Sequence, residues 1–435
     1  MSECELTLNS EPPPASLGHV QRMLGSLHER DFRLFWTGET TSQVGTAVAE
    51  VVLPLIGVRV LHAGTFAIAS LTAAAWLPWV LFGLVAGAWV DRFSRRSVMI
   101  VCDLISLLLF TSIAAAYWLK SLTISQLLLA AMLAGIVSVF FKAAFQAFIP
   151  TLIGKRELMD GNAKLQASAA FSQVSGPGIG GAIAQFFGVV PGVLLNAASF
   201  AVSGICLLRI RTTEPESRKP RAKRKITHEI KEGLQFLLND PFLRPLAAYT
   251  AVISLGVSGA DSLMIVFLVR TVGVTVSVTG IVLALMGIGG LFGAVIATRL
   301  VRLYGSARAM LICRILLAFA LLVPLTTRGA GLIFSAGWII VTAGIAAGNV
   351  ISLAFRQARC PSRMLGRISA SYYTLTYSCM AFGAVLAGLL GTFIGVRPAL
   401  WIIGGILASA SIILFFSPIR HVHDLPAPSD DYITT

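Results

Sequence analysis

The chain is composed largely of apolar windows about as long as a bilayer is thick, and this most restricts what it can fold into. A segment crossing the hydrocarbon core must satisfy its own backbone, so it has to be a helix of about 20 apolar residues or a strand in a closed barrel. Such windows recur at 33–60, 66–90, 97–119, 123–148, 163–187 and 190–208. They recur again at 245–269, 276–300, 307–326, 331–355, 368–394 and 398–417, separated by Gly, Pro and clusters of charge. At this length they predict helices. Only 12% of the 435 residues are charged and 56% are hydrophobic, whereas a soluble globular chain is about a quarter charged. The expected fold class is therefore an all-α polytopic membrane protein with twelve transmembrane helices.

The first thirty residues open with acids (Glu3, Glu5), pass through Pro12–Pro14 and contain no apolar run, so a flexible cytoplasmic tail is expected there and not a signal peptide. The predicted organisation is a tail at 1–31, a six-helix bundle at 32–209 and a basic linker with a surface helix at 210–240. A second six-helix bundle follows at 241–418, and a second tail at 419–435. The six cysteines show no metal-binding spacing, and no disulfide framework is expected.

A net charge of +14 would suggest nucleic acid in a soluble chain. Here 27 of the 34 lysines and arginines fall in the tails, the even-numbered loops and the adjoining helix ends. Five (Arg59, Lys120, Arg270, Arg328, Arg397) fall on the other side, and two (Lys142, Arg314) fall within helices. Lys and Arg hold loops in the cytoplasm, so both termini are expected inside a cell (inner) membrane. The charge records topology, and no nucleic-acid partner is expected. The run Arg218–Lys225 fits either a solvated topology-fixing linker or a site for anionic lipid head groups, and Ile226–Leu238 is expected to lie along the inner surface.

The two halves repeat at a constant offset of 207 residues. Gly83-Leu84 matches Gly290-Leu291, Arg92 matches Arg299, Arg95 matches Arg302, Gly176 matches Gly383 and Gly181 matches Gly388. Parallel six-helix repeats are a building plan of secondary transporters, with the site between the halves near the midplane.

After span two comes Gly87-Ala88-Trp89-Val90-Asp91-Arg92-Phe93-Ser94-Arg95-Arg96. This resembles the G-x-x-x-D-R-x-G-R-R/K loop of the major facilitator superfamily, with Ser94 in place of the usual glycine. The resemblance implies the major facilitator fold of two pseudo-symmetric six-helix bundles, and a gating loop of Gly87, Asp91, Arg92, Arg95 and Arg96 that latches the halves on the inner face. A small residue at Gly87 would let helices approach closely. Span five carries Gly176-Pro177-Gly178-Ile179-Gly180-Gly181. This is similar to the G-P-x-x-G-G signature of facilitator antiporters, although Ser172 stands where the longer signature has another glycine. The resemblance assigns Gly176, Pro177, Gly180 and Gly181 to a bendable contact helix associated with export by exchange. Asp31–Glu39, Ile149–Leu152 and Gly161–Ala163 resemble a drug/proton antiporter branch that includes macrolide efflux proteins and siderophore exporters, and the likeness extends over about 30–418.

A charge at the centre of a spanning helix costs about 2.5–3.5 kcal/mol on insertion scales, so each needs an account. Glu39, Gln43, Thr46 and Glu50 fall on one narrow stripe of span one, and Thr250, Ser254, Ser258 and Asp261 repeat the design in span seven. At about 1.5 Å per residue, Glu50 and Asp261 each lie about 24 Å from the cytoplasmic edge. They are the proton-coupling candidates, with Glu39 a gate or cation contact and Gln43 a cavity residue. Lys142 could pair with Glu39 or Asp103, or could snorkel to the interface. Arg314 is expected to snorkel. Tyr372, Tyr373 and Tyr377 either line the cavity or pack in the core.

Catalytic readings find little support. There is no phosphate-binding loop, and the Gly256-Val257-Ser258-Gly259 stretch has no histidine in any span to activate Ser258, which is expected to line the cavity. No cofactor or metal site is expected, and the chain is expected to be a monomer that is not an enzyme. The function expected is export of an amphipathic small molecule (drug, antibiotic or secondary metabolite) in exchange for protons, with substrate, protons and membrane lipid as its partners. Proton-coupled uptake is the alternative within the same fold. A non-transporting membrane scaffold or receptor is the alternative of another class.

Overall fold

In the computed structural model the described residues are 29–90, 92–153, 157–212, 235–327, 331–360 and 365–422. They form twelve long helical segments and no strand. The first bundle comprises α1 (Arg30–Arg59), α2 (Thr65–Val90), α3 (Arg95–Trp118), α4 (Ile124–Leu152), α5 (Leu158–Phe186) and α6 (Val189–Arg209). The second comprises α7 (Leu243–Val266), α8 (Val276–Tyr304), α9 (Ser306–Ile315), α10 (Gly331–Arg359), α11 (Leu365–Phe393) and α12 (Val396–Phe415). A π-helical turn, Phe267–Val272, continues α7, and a 3₁₀ segment, Leu316–Leu325, continues α9. The expected tails and the basic run Arg218–Lys225 lie outside the described residues, as does most of the expected surface helix. Within its last residues Leu237 is buried in the core of the second bundle.

Eleven of the helical segments are long and apolar enough to cross a membrane. The exception is α5, whose Lys164, Gln166, Ser168, Ser172, Gln173 and Ser175 dilute its apolar run. These polar residues and the glycines that follow make α5 a contact helix, packed by its glycines on two neighbours at once.

Local chemistry sets the helix ends on the face that carries both termini. The Arg96 guanidinium donates from Nε to the Leu207 carbonyl at 2.8 Å and from Nη2 to the Leu208 carbonyl at 2.7 Å, closing the end of α6. Asp31 accepts the backbone N–H groups of Arg211 and Thr212 at 3.0 and 2.8 Å and the Thr212 hydroxyl at 2.6 Å, tying the start of α1 to the end of α6. In the second bundle Asp240 accepts the N–H groups of Phe242 and Leu243 through Oδ1, capping α7. Its Oδ2 takes a 2.7 Å salt bridge from Arg359 at the end of α10.

The bundles meet along two seams, α5 with α8 and α2 with α11. A Cβ on Gly181 would sit 2.6 Å from the Gly280 Cα, so these helices touch backbone to backbone. At the other seam Trp76 stacks on Tyr377 with ring centroids 5.5 Å apart, and Gly388 abuts Ala69. Farther from the termini, Val51, Leu55, Val58, Ile68, Ile265, Val266 and Val276 form one buried cluster drawn from both halves. Arg270 Nη2 donates to the Ala63 carbonyl at 2.8 Å. All these cross-half contacts lie at or beyond the mid-length of their helices, on the side away from the termini. That face is closed.

The 207-residue offset also holds in three dimensions. Gly176 packs on Ala47 of α1, and Gly383 packs on the Leu255 backbone of α7. Gly181 and Gly388 each face the opposite bundle.

A valine at position 181 has no room against the α8 backbone, so Gly181→Val should force the α5/α8 seam open, at about 1–3 kcal/mol for overpacking. In a cysteine-free background, Val58→Cys should then react several-fold faster with a membrane-impermeant maleimide. An unchanged rate in properly inserted protein would show that this seam does not hold the face shut.

Candidate functional site

The polar stripe expected on α1 divides into two environments. Glu39 is 7% exposed and turns into its own bundle, where its Oε1 accepts a hydrogen bond from Gln43 Nε2 at 2.7 Å. Phe35, Gly38, Phe141, Ser203, Cys206 and Leu207 line a narrow crevice with it. Asp103 of α3 is buried within electrostatic reach of Glu39, with Ser203 beside it. Lys142 is exposed, within electrostatic reach of Glu39, and sits over the Phe145 ring at 5.2 Å. It makes no salt bridge among the described residues. The result is an acid-rich pocket among α1, α3, α4 and α6.

Glu50 has a different setting. It is the one exposed residue in Ala47–Val58, in a helix packed on its other sides. Asp261 is likewise the one exposed residue in the stretch 249–269 of α7, with Ser258, Gly259, Ala260 and every residue from Ser262 to Leu268 buried. An accessible side chain in so enclosed a helix opens into an internal space. The two carboxylates are within electrostatic reach of each other across the boundary between the halves. Next to them in sequence are Val51, Leu55 and Ile265 of the cross-half cluster. Both carboxylates therefore lie at the boundary between the halves, against the closed face.

The rest of the α7 stripe does not line this space, contrary to the sequence expectation. Thr250 pairs with the Tyr372 hydroxyl of α11, Ser254 is buried, and Ser258 is 1% exposed with no hydrogen-bond partner for its Oγ. The physical cause is α11, which lies along this side of α7 and brings Gly383 onto the Leu255 backbone.

Arg314 departs furthest from expectation. It does not snorkel: it is 2% exposed, and its guanidinium lies 3.3 Å from the Tyr249 ring centroid. Arg356 of α10 is also buried, 3.5 Å over the Tyr372 ring. From sequence, Arg356 reads as no more than a basic helix end. Facing spans of Arg and Tyr were the available signal.

In the motif loop, Arg92 is exposed, Arg95 and Arg96 are half-buried, and Ser94 caps α3 by accepting the Ser97 N–H. Asp91 lies outside the described residues. A Cβ on Gly87 would meet open space, so the close approach expected there is not formed. Arg96 of this loop closes the end of α6 within its own bundle. Of the span-five motif, Gly176 and Gly180 pack on α1 at Ala47 and Val48, while Gly181 and the Pro177 carbonyl pack on α8.

Residues 22–433 match the family model described as transmembrane secretion effector, within the major facilitator superfamily. The chain belongs to this family. It is a multi-pass membrane transporter of the major facilitator type. It is 27% identical to the multidrug efflux pump Tap of Mycolicibacterium fortuitum, over 82% of this chain and 88% of that protein. It is 24% identical to the enterobactin exporter EntS of Escherichia coli, over 71% and 73%. Among solved structures, a bacterial homologue of the iron transporter ferroportin in an inward-facing state matches with a TM-score of 0.72. That match has 16% identity and covers 89% of this chain and 98% of the other.

The accessibility pattern can be tested in a cysteine-free background. Glu50→Cys and Asp261→Cys should react about tenfold faster than Ser258→Cys with a small hydrophilic thiol reagent, because reactivity follows exposure. Equal rates would contradict the exposure of the two carboxylates.

Proposed function

We propose that the chain exports an amphipathic small molecule in exchange for protons, by alternating access between the two bundles. The observation that carries the reading is the placement of Glu50 and Asp261 as the exposed residues of two otherwise enclosed, repeat-related helices, directly beneath the cross-half apolar cluster. Groups at that point face one side of the membrane while the cluster is closed and the other side once it parts. Intramembrane acids facing a cavity are the usual elements of proton relays.

The face bearing the termini is read as cytoplasmic, because 27 of the 34 basic residues gather there. In this conformation substrate enters from inside. The bundles then rock about the α5/α8 and α2/α11 seams, and Arg92, Arg95 and Arg96 latch the cytoplasmic face as the opposite one opens. Protons loaded from outside discharge inward on the return, contributing about 2.3 kcal/mol per charge per 100 mV of membrane potential. Glu39, with Gln43, Asp103 and Lys142, forms a second acidic pocket nearer the cytoplasm that receives the cationic part of a substrate.

Export is favoured over uptake by two things: the Gly176-Pro177 motif in α5, and relatives named as an efflux pump and an exporter. An efflux-deficient bacterium expressing the chain should gain several-fold resistance to some amphipathic compounds. Glu50→Gln or Asp261→Asn should abolish it at equal protein level. Resistance that survives both substitutions would remove the coupling role from these carboxylates, and unchanged susceptibility across a broad panel would contradict export of such compounds.

A further inference from the structure

The second bundle buries two guanidinium groups for which the proton-coupled cycle has no use. Arg314 is 2% exposed and Arg356 7% exposed, and neither makes a salt bridge among the described residues. A lone charge is costly to bury, and the aromatic faces of Tyr249 and Tyr372 offset part of that cost. They do so only through the flat face of each guanidinium. Among the described residues, Nε and Nη2 of Arg314 and Nε and Nη1 of Arg356 have no hydrogen-bond acceptor, and neither has the buried Tyr249 hydroxyl. Five polar groups in one small region are thus left without a partner. Gly348 of α10 provides the room, because a Cβ there would come within 3.0 Å of Arg314 Nη1.

Tyr372 links the two arginines, lying within electrostatic reach of both, and its hydroxyl is held by Thr250. From Tyr372 a run of rings leads away. Tyr373 is 6.3 Å from Tyr372 and 44% exposed, Tyr377 stacks 6.1 Å beyond it, and Trp76 and Trp79 of the other bundle lie 5.5 and 4.7 Å from Tyr377. Ring faces therefore run from the seam between the bundles to the buried Tyr372, which lies against Arg356 and within electrostatic reach of Arg314.

We propose that Arg314, Arg356 and this aromatic run form a subsite for a planar aromatic group bearing a carboxylate. The carboxylate accepts the free N–H groups of the arginines, in the geometry guanidinium groups favour. The ring stacks along Tyr373 and Tyr377, whose faces accept aromatic groups in offset or edge-on contact. The inference deepens the export reading and rests on it. It assigns the substrate an acidic, aromatic end held by the second bundle, opposite the acid-rich pocket of the first.

The experiment is a thermal unfolding series on the purified full chain in detergent, with benzoate and with benzyl alcohol, its uncharged analogue of similar size. Benzoate at millimolar concentrations should raise the melting temperature by a few degrees in a saturable manner, while benzyl alcohol should not. Arg356→Gln should lose the shift, and Arg356→Lys, which keeps the charge without the planar fork, should retain part of it. Arg314→Gln should also lose it, and if that variant does not fold, the Arg356 pair still decides. No benzoate-specific shift in the unsubstituted protein, or an equal shift in Arg356→Gln, would overturn the subsite. Efflux of a fluorescent amphipathic cation from cells expressing the chain separates the two readings. Efflux without a benzoate shift would remove only the subsite, and a benzoate shift without efflux would remove only the export reading.

Discussion

The structure depends on two seams between the bundles, and at one of them, α5 with α8, the helices approach backbone to backbone. Only glycine permits this at Gly181 and Gly280, where a single added carbon would lie 2.6 and 2.7 Å from the Cα of the other. In a bilayer there is little hydrophobic force to drive helices together, so such close packing supplies the attraction directly. In the proposed cycle it would also work as a pivot. Contacts concentrated on one half of each seam close one face and leave the bundles free to diverge on the other. The apolar cluster around Val58 and Val266 and the exposure of Glu50 and Asp261 follow from that geometry.

The polar groups are arranged asymmetrically on this pseudo-symmetric frame. The first bundle encloses acids, with Glu39 and Asp103 near one another and Lys142 at the edge. The second encloses arginines against tyrosine rings, with Asp261 at the boundary between the halves. Under the proposed export cycle, a substrate held between them would meet two chemistries, and protons a third set of groups at Glu50 and Asp261. The peripheral α3 and α9 each direct one buried charge, Asp103 and Arg314, inward towards α1 and α7. The repeat has thus kept the positions of these charges approximately and reversed their sign.

The fold was almost wholly legible in the sequence, since apolar length and helix-breaking residues fix spanning helices independently of packing. The expected windows lie within a few residues of the helices, and the larger differences are at α5, which starts at Leu158, and at α4, α8 and α10, which run on to Leu152, Tyr304 and Arg359. An inward direction for Glu50 and Asp261 is what the sequence leads one to expect, because an acid in a span must face something other than lipid. Side-chain partners were not legible. Angular position alone placed Glu39, Gln43 and Glu50 on one stripe, but α4 and α6 cover the first two and leave the third open. Ser258 was lost to α11 in the same way. Arg314 was misjudged because snorkelling is the default for an arginine on a peripheral helix. What overrides the default is a tyrosine ring from α7 and a glycine on α10, neither near it in sequence.

The central claim is that Glu50 and Asp261 couple proton movement to transport and do not merely shape the cavity. The direct test uses purified protein in liposomes, with one fluorescent amphipathic cation followed in two modes: uphill accumulation driven by an imposed pH gradient, and counterflow exchange with no gradient. The account predicts that Glu50→Gln and Asp261→Asn abolish gradient-driven accumulation while exchange continues. Accumulation that persists in both variants, or loss of exchange together with accumulation, would contradict it.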